Sequence, residues 1–142
     1  MKTKKRALSV VLVLCLAVSM IVAMSGCGKK SLEDYMSSSA MQSLIETQSA
    51  QYAEQGAELS MTAQGDNLMM DVTMTAVTAT SNDQVAELRT ALEGAMDAQA
   101  SNFVNQANEL KNACSNSVIN LVITYYDANG TLLATATYSS TN

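Results

Sequence analysis

Three changes of hydrophobic period divide this chain, and they constrain its fold more than any single motif does. Ser31 opens a helical segment as an N-cap, with Asp34 three residues later in a capping-box arrangement. Leu32, Tyr35 and Met36 form a first turn, and Ser37-Ser38-Ser39 weakens helix enough to predict a break or restart at Ser38 or Ser39. Met41, Leu44, Ile45, Gln48 and Tyr52 then follow at helical spacing, and Gly56 is the expected C-cap. From Leu59 the period drops to two. Leu59, Met61 and Ala63 alternate with Ser60, Thr62 and Gln64, and Leu68, Met70, Val72 and Met74 alternate with Met69, Asp71 and Thr73. A two-residue Gly65-Asp66 loop would pair Ala63 with Leu68, Met61 with Met70 and Leu59 with Val72, which puts both apolar sets on one face; an odd loop would separate them.

The same grammar then runs a second time. Ser81 and Gln84 mark a helix start, and Val85, Leu88, Leu92, Met96, Phe103, Ala107, Leu110 and Cys114 lie along one stripe. That stripe predicts a single helix of about thirty residues, roughly 45 Å long, with Gly94 as its weak point. Ile119, Leu121, Ile123 and Tyr125 alternate next, Asp127-Ala128-Asn129-Gly130 turns, and Leu132, Ala134, Ala136 and Tyr138 alternate back. A two-residue Asn129-Gly130 loop places Tyr125 opposite Ala134, Ile123 opposite Ala136 and Leu121 opposite Tyr138, and a four-residue loop keeps the same parity. The expected fold is therefore α+β: helix, hairpin, helix, hairpin, with a four-stranded antiparallel sheet and two helices packed on one face.

The first thirty residues read as an address. Lys2, Lys4, Lys5 and Arg6 precede an apolar stretch of about eighteen residues, which ends in Met24-Ser25-Gly26-Cys27. The small-small-Cys ending resembles the lipobox of bacterial lipoproteins, with Met24 in place of the usual Leu. It decides for a cleaved signal over a retained helix or an ordinary secretory signal. Residues 1–26 are then the signal peptide, 27–30 a lipidated tether and 31–142 one domain, with diacylglyceryl on Cys27 as the membrane anchor. Lys29 and Lys30 would lie at the headgroups or in a solvated linker.

From Cys27 onward four basic residues face thirteen acids, a net charge of −9. With so few cations a nucleic-acid partner is excluded, and flat binding to an anionic membrane is disfavoured. The chain has no histidine, so triads, Cys-His pairs and His-ligated metals are absent. Cys114 falls on the apolar helix stripe and reads as a buried small hydrophobe. Met61, Met69, Met70 and Met74 read as adaptable core, with Met69 alone pointing outward, rather than as a Cu(I) site. Asp127 to Gly130 has part of a calcium-loop spacing, but Tyr125 and Ala136 occupy the positions that need ligands. No cofactor or metal is expected.

The lipobox, the Ser31-Leu32-Glu33-Asp34-Tyr35 opening, the element order and the Tyr125-Tyr126-Asp127-Ala128-Asn129-Gly130 turn together resemble a family of small uncharacterised lipoproteins from low-GC Gram-positive bacteria, whose domain has no assigned function. The resemblance implies an α+β fold on the outer face of the cytoplasmic membrane and carries over no catalytic or binding residue. The expected function is a membrane-tethered binding module with a protein partner at the cell surface. A small-ligand or substrate receptor is the alternative, and an enzyme ranks last. The Thr-rich outward sheet face, together with the hairpin edges, is the candidate surface, centred on Val122, Tyr126 and Leu133.

Overall fold

The computed structural model describes residues 30–141. Its elements are α1 (Leu32–Ser37), α2 (Ser39–Glu54), β1 (Ala57–Gln64), β2 (Asn67–Met74), α3 (Asn82–Ala98), α4 (Ala100–Ala113), β3 (Asn120–Asp127) and β4 (Leu132–Ser139). The serine punctuation sets three of the helix starts. The hydroxyls of Ser31, Ser38 and Ser81 accept from the backbone N–H groups of Asp34, Met41 and Gln84, so each first turn recovers one donor that a helix end leaves unpaired.

The sheet order is β1-β2-β3-β4. It is mixed rather than wholly antiparallel, because β2 and β3 run parallel in register, Asn67 opposite Asn120 through Met74 opposite Asp127. Alternation in a sequence fixes which side chains share a face but says nothing of strand direction, and the direction here follows from the long connection that carries the chain back between the two strands. That connection contains two helices where the apolar stripe predicted one. The break falls at Gln99, whose N–H bonds to Met96 O at 3.0 Å, and not at Gly94. Gln99 makes no side-chain cap for α4, so the sequence carries no signal there. The physical need is one of length: a straight helix from Asn82 to Ala113 would run about 48 Å at 1.5 Å per residue, whereas an eight-residue strand spans only about 27 Å.

One core joins all four helices to the inward face of the sheet, built on Leu32, Met41, Tyr52, Leu92, Met96, Phe103 and Leu110 above Leu68, Met70, Val72, Leu121, Ile123 and Tyr125. The rings of Phe103 and Tyr138 meet at 4.9 Å between centroids. Cys114 and Gln48 are buried in the same layer.

The two hairpins turn differently. The first has the two-residue Gly65-Asp66 loop, with Gly65 at φ +60, and pairs Ala63 with Leu68, Met61 with Met70 and Leu59 with Val72. In the second, Asp127 N donates to Thr131 O and Gly130 N to Asp127 O, so the loop is the three residues Ala128, Asn129 and Gly130, with Gly130 at φ +83. An odd loop shifts the register by one, and a bulge shifts it back: Tyr126 pairs with Leu132 and Tyr125 with Ala134, which leaves Leu133 as the extra residue. Tyr125, Ile123 and Leu121 therefore face Ala134, Ala136 and Tyr138. Between loop and bulge, however, the parity is inverted. Leu133, expected on the outward face, is fully buried, and Leu132, expected inside, is 45% exposed.

Polar side chains tie both ends of the sheet. At the hairpin-2 end the buried Asp127 carboxylate accepts from Asn129 N and Thr131 N at 2.9 Å and from Ala79 N at 3.1 Å. Burial alone would raise its pKa, but the backbone donors of Thr131, Ala79 and Asn129, with the Thr131 side chain, hold it below the ordinary value. At the other end Asn116 accepts from Leu32 N and donates to Gly65 O and Asp66 Oδ1, while Glu33 accepts from Gly65 N at 2.6 Å.

Two stability outcomes follow, both measured on the full chain in an uncharged detergent. Leu133→Asp should cost more than about 3 kcal/mol because it buries a carboxylate with no planned partner, whereas Leu132→Asp should stay within about 0.5 kcal/mol of wild type in urea titrations. Equal losses would contradict the bulge. Asp127→Asn should lower the melting temperature by at least about 5 °C at pH 7. Because the folded pKa is depressed, this contribution is present above the unfolded value of about 3.9 and is lost as pH falls through the folded value, so wild type and variant should converge in acid.

Candidate interaction face

All four helices contribute to the core on one side of the sheet, so the other side carries a grid of side chains outside that core. Cross-strand register orders it into four rows. Gln64, Asn67, Asn120 and Ser139 form the row nearest the first hairpin turn, followed by Thr62, Met69, Val122 and Thr137, then Ser60, Asp71, Thr124 and Thr135, and finally Glu58, Thr73, Tyr126 and Leu132. The first row is stitched by hydrogen bonds: Ser139 Oγ donates to Asn120 Oδ1 at 2.6 Å, and Asn120 Nδ2 to Asn67 Oδ1 at 2.9 Å. In the third row the hydroxyls of Thr124 and Thr135 lie 3.1 Å apart.

Of the three residues that the sequence nominates, Val122 and Tyr126 lie on this face, both half-buried, and Leu133 does not. Val122 and Tyr126 are four residues apart along β3, or about 13 Å at 3.3 Å per residue. The apolar material therefore forms two spots, Met69 with Val122 and Tyr126 with Leu132, separated by the Asp71–Thr124 row. The expected single centre is not present. Met69 was legible as an outward residue from parity alone, whereas Leu132 required the bulge. The face carries two carboxylates, Glu58 and Asp71, and no cation.

Other chemistry is sparse. Burial pushes the Cys114 thiol above its ordinary pKa, and Tyr35 is raised first by burial and then by that thiol; a raised, enclosed thiol is packed rather than poised for attack. Met70 and Met74 are core, Met61 is partly buried against it, and the Asp127 carboxylate is occupied by backbone donors. Among the described residues no three His, Cys, Asp or Glu side chains are grouped to hold a metal ion, and no helix is long and apolar enough to cross a membrane. Residues 1–26, expected from the sequence to be a signal peptide, and Cys27 lie outside the described residues.

Neither the curated proteins nor the solved structures contain a match to this chain. A family model does match, from the first residue of α1 to the penultimate residue of β4, residues 32–138. The chain belongs to that family, a domain of unknown function, DUF4854.

Proposed function

We propose that this protein is a membrane-tethered interaction module, anchored through diacylglyceryl on Cys27 at the outer face of the cytoplasmic membrane, which engages a surface protein through its uncovered sheet face. The observation that carries the reading is Leu132, the exposed large hydrophobic among the described residues, paired with Tyr126 on a face that none of the described helices covers. Aromatic and aliphatic anchors within a polar surround are the usual centre of a protein contact.

The chain path supports it. Lys30 O accepts from Ser115 N at 2.8 Å, which fixes the start of the domain at the Gly65-Asp66 end of the sheet. Lys30 lies three residues after Cys27, a span of at most about 11 Å, so this end lies near the bilayer. The Tyr126–Leu132 row stands about 20 Å further out, six residues along β3 from the Asn120 row. The acidic balance of the domain keeps it from lying flat on anionic lipid.

The groove of about 230 Å³ beside β4 is smaller than the roughly 300–1,000 Å³ of typical small-molecule sites and so lends no support to the alternative reading, a small-ligand or substrate receptor. The reading is also non-catalytic, since no histidine supplies a base near neutral pH.

Two measurements test the proposal. A fatty-acid label should enter the wild-type chain and not Cys27→Ala, and equal labelling would remove the anchor. A photo-crosslinking residue at position 126 or 132 should trap a surface protein on intact cells, while one at Asn102 or Glu109 on the helical side should not. Adducts confined to the helical positions would overturn the sheet-face assignment.

A further inference from the structure

The outer edge of β4 offers backbone groups beside a groove that the proposed sheet-face contact does not use. Ser140 N donates to Ile119 O, which sets the alternation of the β3–β4 ladder: Ala136 and Tyr138 bond inward to β3, and the N–H and C=O groups of Thr135 and Thr137 face out. Among the described residues these outward groups have no hydrogen-bond partner outside the sheet. The open stretch has definite ends. Arg89 Nε donates to Leu133 O at 2.8 Å on one side, and Asn108 Oδ1 accepts from Thr141 N at 2.7 Å on the other. Between them lie residues 135–139, about 17 Å of strand.

Along this edge α3 and β4 enclose the groove of about 230 Å³, lined by Glu93, Met96, Asp97, Thr135, Ala136 and Tyr138. Met96 and Tyr138 form an apolar floor, and Glu93 and Asp97, one helical turn apart and both exposed, stand at its rim. The volume suits one or two side chains and not a folded body. Cations are scarce in the domain, and the nearest along α3, Arg89, is already committed to Leu133 O.

We propose that the β4 edge accepts an extended, cationic peptide segment by strand addition, with its basic side chains over the groove and its alternate side chains beside Thr135, Thr137 and Ser139. This deepens the interaction-module reading, on which it rests, by naming a binding mode and a partner chemistry. Strand addition supplies main-chain hydrogen bonds, and pockets for alternate side chains supply selectivity. Lysine and arginine suit such a groove, because their aliphatic stems cover Met96 and Tyr138 while the charged ends reach the carboxylates. A second copy of this chain is a poor occupant, because pairing β4 with β4 would bring the Glu93 and Asp97 carboxylates of both copies together at the shared edge.

The test uses the full chain in an uncharged detergent and two labelled six-residue peptides, one alternating lysine with valine and one alternating glutamate with valine. The lysine peptide should bind and slow hydrogen exchange at the Thr135 and Thr137 amides, and the glutamate peptide should not bind. The Glu93→Gln/Asp97→Asn double variant should weaken lysine-peptide binding by roughly fivefold or more, with the effect shrinking in high salt. Thr137→Pro, which removes an outward-facing N–H without breaking the ladder, should abolish binding. Exchange at Thr135 and Thr137 in the wild type reads the same contact if that variant does not fold. Unchanged exchange at both amides, equal binding of the two peptides, or protection centred on Val122 and Tyr126 would overturn strand addition. The crosslinking at positions 126 and 132 is a separate measurement, so failure of one reading is distinguishable from failure of the other.

Discussion

The parallel pairing of β2 with β3 is the contact on which the rest of this domain depends. It brings Leu68 beside Leu121, Met70 beside Ile123 and Val72 beside Tyr125, all fully buried. Without it the chain would be two helix-and-hairpin halves, each with a two-stranded sheet too small to hold itself together in water. With it, two such faces become one four-stranded layer that the four helices cover from a single side. The same register produces the ordered rows on the far side, because a shift of one residue in β3 would turn Val122 and Tyr126 inward.

That pairing has a cost in chain path. The segment after β2 must return to the start of β3, and the apolar stripe from Val85 to Cys114 is longer than the sheet beneath it. The break at Gln99 resolves the mismatch, letting α3 and α4 each pack on β4. Polar clasps then secure the two ends of the sheet: Asp127 holds its own turn and the Ala79 connection at one end, and Asn116 ties the first residues of α1 to the Gly65-Asp66 turn at the other. Each clasp joins segments from both halves of the chain, so each reinforces the central pairing.

What the sequence disclosed follows the same physics. Side-chain alternation is local, so the inward sets of β1, β2 and β3 were legible, and so was the outward placement of Met69, Val122 and Tyr126. Serine caps are local too, and the restart at Ser38 was visible. Strand direction is not local: the same alternation serves a parallel or an antiparallel neighbour, and the mixed sheet could not be read from it. Leu132 and Leu133 show the other limit. A three-residue loop and a bulge each move the register by one, their effects cancel at Tyr125 and beyond, and only the two leucines between them record that either occurred. The Gln99 break carries no cap, proline or glycine, so only the length of the sheet beneath it reveals why it is there.

Native-state hydrogen exchange of the full chain in an uncharged detergent tests the central pairing most directly, because a seam that unites two halves must open with the whole domain. Slowly exchanging amides in β2 and β3 should share one opening free energy, equal to that of global unfolding, and Leu121→Ala should lower both strands together. Opening of β3, β4 and their helices at a distinctly lower free energy, with β1 and β2 still protected, would contradict that expectation.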